Sequence, residues 1–195
     1  MTFDPEEHGR GSIRLPGYDY TQPGAYFVTI CTNERREILG DIVDGVVRPN
    51  AAGRIVAEHW AGLPGHYPNV WLDECVLMPN HVHGIIHLTD GLSSSVGAGF
   101  QPAHACPETK KQHGLPEIIR GFKTFPSRGI NQLLGTPGQP VWQRTYYEHV
   151  VRNEFDLDAI RRYIVENPLK WEDDPENPRS GAAPAERLVD GHERH

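Results

Sequence analysis

Two histidines in the stretch MPNHVHGII, residues 78–86, are the side chains of this sequence best placed to do chemistry. His81 and His83 flank one apolar residue in a run typical of a β-strand, where side chains alternate between faces. Both imidazoles should therefore point the same way, as two ligands of one divalent cation would. The plainer interpretation is an incidental pair in a strand. His87 shares their parity and is interpreted as a strand-end histidine or a DNA contact.

A second pair of candidate residues lies on a helix predicted over 154–167. Tyr163 and Asn167 are four residues apart, so they share one helix face. Tyr163 offers a phenol that can act as a nucleophile, and Asn167 offers a hard oxygen ligand. Together with His81 and His83, Asn167 would form an N,N,O ligand set with open positions, which suits Mg²⁺, Mn²⁺ or Zn²⁺.

A phosphodiester is a natural occupant of those open positions. The metal would polarise the P–O bond and stabilise the leaving 3′ oxygen. Attack by Tyr163 would then leave a 5′-phosphotyrosine and a free 3′-hydroxyl. Tyr146 and Tyr147 are alternative nucleophiles, but they face opposite sides of a predicted strand and neither has a ligand partner at helical spacing. The plainer interpretation of Tyr163 is a half-buried aromatic residue on a helix.

The elements that must position these residues alternate along the chain. Strands are predicted over 25–32, 70–77, 82–88 and 141–150, with a short hairpin over 43–48. Helices are predicted from an Asn50 cap to residue 63, over 115–134 with a break before Pro126, and over 154–167. This order predicts an α+β fold of the ferredoxin-like, split βαβ type, with helices packed on an antiparallel sheet.

Length and composition predict one domain with flexible ends in a chain of 195 residues. We expect a leader over 1–24, a catalytic domain over 25–171 that contains a long loop over 90–113, and a disordered acidic tail over 172–195. Three widely spaced cysteines form no paired motif, and no apolar run is long enough to span a membrane. The expected location is the cytoplasm, with no membrane partner.

Charge is unevenly distributed along the sequence. The net charge of −7 argues against a nucleic-acid partner. Residues 110–170, however, hold ten Lys or Arg and six acidic residues, a surplus of four positive charges. The plainer interpretation of these cations is a solvated surface. The candidates for DNA contact are Arg120, Lys123, Arg128, Gln143, Arg144 and Arg162.

Several motifs occur in a recognisable order. MPNHVHGII, WQRTYYEHVVRNE and RRYIVENPLKW, preceded by GYDYTQPGAYFVTICT, resemble the REP-associated tyrosine transposases, which belong to the His-hydrophobic-His endonucleases. The resemblance covers about residues 14–171. It implies a ferredoxin-like fold with His81 and His83 on a central strand, Tyr163 as nucleophile and Asn167 as third metal ligand. It also implies single-stranded, often hairpin-bearing DNA as the substrate.

The function predicted from the sequence is therefore that of a single-stranded DNA endonuclease and strand transferase that uses Mg²⁺ or Mn²⁺. The protein is expected to act as a monomer or a homodimer. One alternative is a DNA-hairpin-binding protein without catalytic activity. Another is a metallohydrolase of small molecules, against which the Gly84-Ile85 that follows the paired histidines counts.

Overall fold

The computed structural model describes residues 17–90, 112–174 and 176–179. The elements follow one another as strands, helices and short 3-10 turns. Strands are β1 (Gly24–Cys31), β2 (Gly40–Val43), β3 (Val46–Pro49), β4 (Val70–Leu77), β5 (His81–Leu88) and β6 (Tyr147–Val151). Helices are α1 (Ala51–Ala61), α2 (Leu63–His66), α3 (Leu115–Leu134) and α4 (Glu154–Glu166), with 3-10 turns at Asn33–Arg35 and Asn167–Asp173.

The main sheet has the strand order β4-β5-β1-β6, and every neighbouring pair is antiparallel. Two strand–helix crossovers, β1 to β4 through α1 and β5 to β6 through α3, each step over one intervening strand. This is the predicted ferredoxin-like arrangement, which the structure confirms. Strand β5, which carries both histidines, lies in the interior of the sheet.

The two faces of the sheet are covered by different helices, because alternate residues of each strand point to opposite sides. Val28 and Ile30 of β1 join the larger core with α1 and α3. Phe27 of β1 and Ile85 of β5 face the other way and pack against α4, at Ile160 among others. The helix that carries Tyr163 therefore covers the sheet face to which the paired histidines point.

The helix caps and the small hairpin agree with the sequence predictions. Asn50 accepts a hydrogen bond from the Gly53 amide at 3.0 Å and caps α1, while β2 and β3 form the hairpin predicted around residues 43–48.

Two predictions of element bounds were wrong. Strand β6 begins at Tyr147 rather than at residue 141, and α3 continues through Pro126 without a break. Pro126 is buried, so its packing against the core offsets the helix hydrogen bond that proline cannot donate.

The folded part of the chain extends past residue 171, where composition placed the end of the domain. Asp174, Glu176 and Asn177 are each at most 6% exposed. The Glu176 carboxylate pairs with Arg35, and its carbonyl accepts from Asn80 Nδ2 at 2.6 Å. Most of the predicted leader (1–16), loop (91–111) and tail (180–195) lies outside the described residues. Among the described helices, none combines the length and apolar character needed to cross a bilayer.

Candidate functional site

The two histidines meet at their Nε2 atoms. His81 and His83 are almost fully buried on β5, and their Nε2 atoms lie 3.0 Å apart. Two nitrogens that bind one cation at about 2.1 Å each, with an angle of about 90–110° between them, are about 3.0–3.4 Å apart. The pair is thus spaced as a metal chelate would be, although the same distance also fits a shared hydrogen bond.

Neighbouring side chains hold the other ring nitrogens. His81 Nδ1 lies 2.8 Å from Asn80 Oδ1, a carbonyl oxygen that can only accept, so this nitrogen carries the proton. His83 Nδ1 lies 2.8 Å from Thr29 Oγ1, which can accept in the same way. Protonation at Nδ1 leaves the Nε2 lone pair for a ligand role, and such outer partners are usual for metal-binding histidines.

Tyr163 reaches the histidine pair from helix α4. Its hydroxyl lies 3.3 Å from His83 Nε2, and its ring packs edge-on against Phe27 at 6.0 Å between centroids. Tyr147 is on the same sheet face but on β6, two strands away from β5, where it pairs with Thr29. Tyr146 points to the opposite face of the sheet, where the ammonium group of Lys123 lies over its ring. Tyr163 is therefore the tyrosine that adjoins the histidines.

Asn167 follows α4 and is buried beside the same site. Its Nδ2 donates to Asp174 Oδ2 at 3.2 Å, whereas its Oδ1 is buried and has no hydrogen-bond partner among the described residues. A buried carbonyl oxygen without a partner is costly unless it binds something, and a hard cation is a suitable partner. The residues present therefore fit a divalent metal.

Asp174 is a candidate ligand that sequence reasoning missed. Its carboxylate and the ring nitrogens of His81 and His83 offer three ligand atoms within 4.8 Å of one another, and all three residues are buried. The stretch around it, WEDDPENPR, has the composition of a disordered tail, which hid it. Helical periodicity could not have found it, because Asp174 follows a 3-10 turn over Asn167–Asp173 and does not lie on α4.

Helix α4 is held at its start and at its middle. Asn153 caps its start by accepting from the Asp156 amide at 2.9 Å. Further along, Arg161 forms an ion pair with Asp73 of β4, in which Nη2 donates to Oδ2 at 2.6 Å and Nε donates to Oδ1 at 3.1 Å. Burial would raise the pKa of Asp73, but the hydrogen bonds from Arg161, the Glu74 amide and His87, with the charge of Arg161, together hold that pKa below its usual value. The pair ties the Tyr163 helix to the sheet.

Three of the predicted DNA contacts line one open groove of about 510 Å³ between α3 and the segment before β6. Arg120, Lys123 and Arg144 surround it together with Tyr146. The groove lies on the α3 side of the sheet, opposite to the face of the paired histidines. It is near the strand ends that carry these histidines, because Gln143, next to Arg144 in the chain, donates its amide to the carbonyl of Cys31, the residue that pairs with His81.

Lys123 has a structural role in that groove. Its Nζ donates to the backbone carbonyls of Gln143 at 3.0 Å and Thr145 at 2.8 Å, and it lies 5.2 Å from the Tyr146 ring centroid. Burial lowers its pKa to about 8. Arg128 lines a different groove near the end of α3, and Arg162 is exposed on α4, so the structure does not bring these two together with the others.

Fold and site together define a ferredoxin-like protein with a paired-histidine, single-tyrosine site. No family model matches the sequence. The chain is 36% identical over 171 residues to an uncharacterised protein of Haemophilus influenzae, covering 86% of this chain and 92% of that protein. It is 27% identical over 152 residues to a putative REP-associated tyrosine transposase of the same organism, covering 78% and 74% of the two chains.

A solved structure has the same fold. It is a REP-associated tyrosine transposase bound to a REP hairpin, with a TM-score of 0.51 and 18% identity, matched over 78% of this chain and 71% of that one. These comparisons support the family that the sequence motifs suggested, the REP-associated tyrosine transposases.

Proposed function

We propose that this protein is a single-stranded DNA endonuclease and strand transferase that depends on a divalent metal and forms a 5′-phosphotyrosine at Tyr163. The observation that carries the proposal is the 3.3 Å distance between the Tyr163 hydroxyl and His83 Nε2. At that distance the Tyr163 phenol, the proposed nucleophile, adjoins the two histidines proposed as metal ligands, although 80 residues separate Tyr163 from His83 in the sequence.

The proposed ligands of the metal are His81, His83, Asn167 and Asp174. Mg²⁺ or Mn²⁺ suits this mixture of imidazole, amide and carboxylate donors. When bound, the metal supplies Lewis-acid polarisation of the scissile phosphate and stabilises the leaving oxygen. The Nδ1 contacts from Asn80 and Thr29 orient the two rings beforehand.

Tyr163 performs the covalent step in this proposal. Its hydroxyl oxygen attacks phosphorus while its proton is released to water. The P–O3′ bond breaks, and the leaving oxygen takes up a proton to become a free 3′-hydroxyl. Reversal of the step with another 3′-hydroxyl would join two strands. Packing against Phe27 and the anchoring of α4 by Asp73 hold the phenol in place for this attack.

The groove on the α3 side of the sheet, near the strand ends that carry Cys31 and His81, is the proposed path of the DNA backbone. Arg120 and Arg144 are exposed there and can contact phosphates, whereas Lys123 holds the loop that presents Arg144. The proposed substrate is hairpin-bearing DNA, which is what a structural neighbour of this fold binds. Because Tyr163 adjoins the histidines of its own chain, one copy would suffice for cleavage. Three widely spaced cysteines without a paired motif support the proposed location in the cytoplasm.

The two alternative functions make different demands on the site. A protein that only binds hairpins has no need of a tyrosine aligned with two metal ligands. A small-molecule metallohydrolase has no need of a tyrosine nucleophile or of a basic groove. The proximity of Tyr163 to His83 and the cations of the groove therefore favour the DNA enzyme.

The test is covalent trapping. The protein is incubated with Mn²⁺ and labelled single-stranded DNA from the flanks of its own gene, and adducts are separated on a denaturing gel. We expect an adduct with the native protein and none with Tyr163→Phe, which should still bind the DNA. His81→Ala should lose cleavage and remain folded.

Tyr147→Phe is the matched control, because it removes a phenol hydroxyl from the same sheet face on β6, two strands away from the histidines of β5. It should retain the adduct. An adduct of undiminished yield with Tyr163→Phe would disprove the nucleophile assignment. Cleavage at an unchanged rate in a chelator would disprove the metal requirement.

A further inference from the structure

Trp71 is a large aromatic side chain that the fold leaves on the surface. It lies on the edge strand β4 and is 46% exposed, whereas Trp60 and Trp142 are at most 7% exposed. Its ring stacks flat on His87 of the neighbouring strand, with 3.9 Å between centroids and an 11° angle between planes. Neither ring belongs to the hydrophobic clusters of the described core.

The stack is held from behind by a chain of polar contacts. His87 Nε2 lies 3.1 Å from Asp73 Oδ2, and the same carboxylate binds Arg161 of α4. Asp73 can reach both because β4 has a bulge there: two residues, Asp73 and Glu74, lie opposite Ile85 alone. Bulges commonly re-aim a side chain next to a functional site. The His87 ring is thereby fixed in its plane, and Trp71 lies on it as a rigid flat surface.

The stack lies on the same sheet face as the candidate site. His83 and His87 have the same parity on β5, four residues apart, which is about 13 Å along a strand. Strand β4 is the edge of the main sheet, so the chain's own strands cover Trp71 on one side only. A strand of DNA that enters the Tyr163 site across this edge would pass over the stacked rings.

We propose that Trp71 and His87 form a stacking platform for an unpaired nucleobase that flanks the cleaved phosphodiester. Flat aromatic rings bind any base through its π-face, and a third ring can extend an existing offset stack. The platform contributes affinity for single-stranded flanks without reading their sequence. It rests on the proposed DNA function but requires only binding, not cleavage.

The experiment measures binding of a labelled hairpin, taken from the DNA beside this gene and prepared with and without a single-stranded extension. The native protein should bind the extended hairpin more tightly. Trp71→Ala should lower affinity for the extended hairpin at least about fivefold, the smallest effect expected from loss of one base stack, and leave the blunt hairpin unaffected. Trp71→Phe keeps a ring and should retain most of the difference.

Phe125→Ala is the matched control. Phe125 is 50% exposed and also lies parallel to a histidine, His66, at 14°. It is on the opposite side of the sheet from Trp71 and does not line the groove of Arg120 and Arg144. It should bind both hairpins as the native protein does. Quenching of tryptophan fluorescence by the extended hairpin provides a second readout, which Trp71→Phe should weaken.

The platform is disproved if Trp71→Ala keeps the whole preference for the extended hairpin, or if the native protein has no such preference. Failure of the proposed catalysis is a separate result, since it would leave flank-dependent binding intact while no covalent adduct forms. A protein that binds neither hairpin would contradict both proposals.

Discussion

Thr29→Val offers a test of whether the ring orientation of His83 matters for metal binding. The substitution keeps the shape of a buried side chain and deletes the hydroxyl that lies 2.8 Å from His83 Nδ1. The imidazole loses the partner that fixes its tautomer and orientation. Loss of such an outer partner typically weakens metal affinity 10- to 100-fold, and we expect about tenfold here.

Thr32→Val supplies a matched control. Thr32 follows directly after β1, is also buried, and its hydroxyl also makes a 2.8 Å hydrogen bond, but to the Arg36 carbonyl instead of a histidine. Each variant should lose about 1 kcal/mol of stability through its missing hydrogen bond. The loss of metal affinity should occur in Thr29→Val alone.

The assay is thermal unfolding with and without saturating Mn²⁺, supported by direct titration of the metal. At the same metal concentration, a tenfold larger dissociation constant reduces the stabilisation by bound metal by about 1.4 kcal/mol. For a domain of this size that is about 3–6 °C less upward shift in melting temperature. Equal metal-induced shifts in Thr29→Val and Thr32→Val would refute the claim that Thr29 orients a metal ligand.

Two further predictions concern the elements that support the site. Asp73→Asn should make the stability less dependent on pH. In the native protein Arg161 holds the pKa of Asp73 low, so near the usual pKa of Asp the unfolded chain binds more protons than the folded chain. The stability of the native protein therefore falls on acidification, and an asparagine at this position cannot contribute to that fall. Urea midpoints at neutral pH and about pH 4 measure this, and equal slopes for both proteins would contradict it. Gly84→Ala should destabilise the fold by about 1–3 kcal/mol, because its Cβ would lie 2.2 Å from the buried Trp60 ring. An unchanged melting temperature would show that Trp60 can move aside at little cost.

Local periodicity was sufficient to predict how the main candidate residues are arranged in pairs. His81 and His83 share a strand face, and Tyr163 lies on the face of α4 turned toward them. What periodicity cannot supply is the register between distant segments. That register depends on the order of strands in the sheet and on the packing of α4 against it, both of which are set by long-range contacts.

The residues that sequence reasoning missed depend on such contacts. Asp174 and Glu176 lie in a stretch with disorder-like composition, yet they are buried by pairing with Asn167 and Arg35. The strand predicted from residue 141 shows the reverse error. Its apolar and aromatic residues suggested a strand. Trp142 does bridge to Thr32, but the carbonyls of Gln143 and Thr145 accept from Lys123, and the pairing is interrupted before β6 begins.

The central claim is that Tyr163 becomes covalently bound to DNA beside the His81–His83 pair. The most direct measurement is mass spectrometry of the protease-digested adduct formed with single-stranded hairpin DNA and Mn²⁺. The account predicts a 5′-linked nucleotide on the peptide that contains Tyr163, with its formation abolished in His83→Ala. A nucleotide attached to Tyr146 or Tyr147, or an adduct that forms equally well without metal, would contradict it.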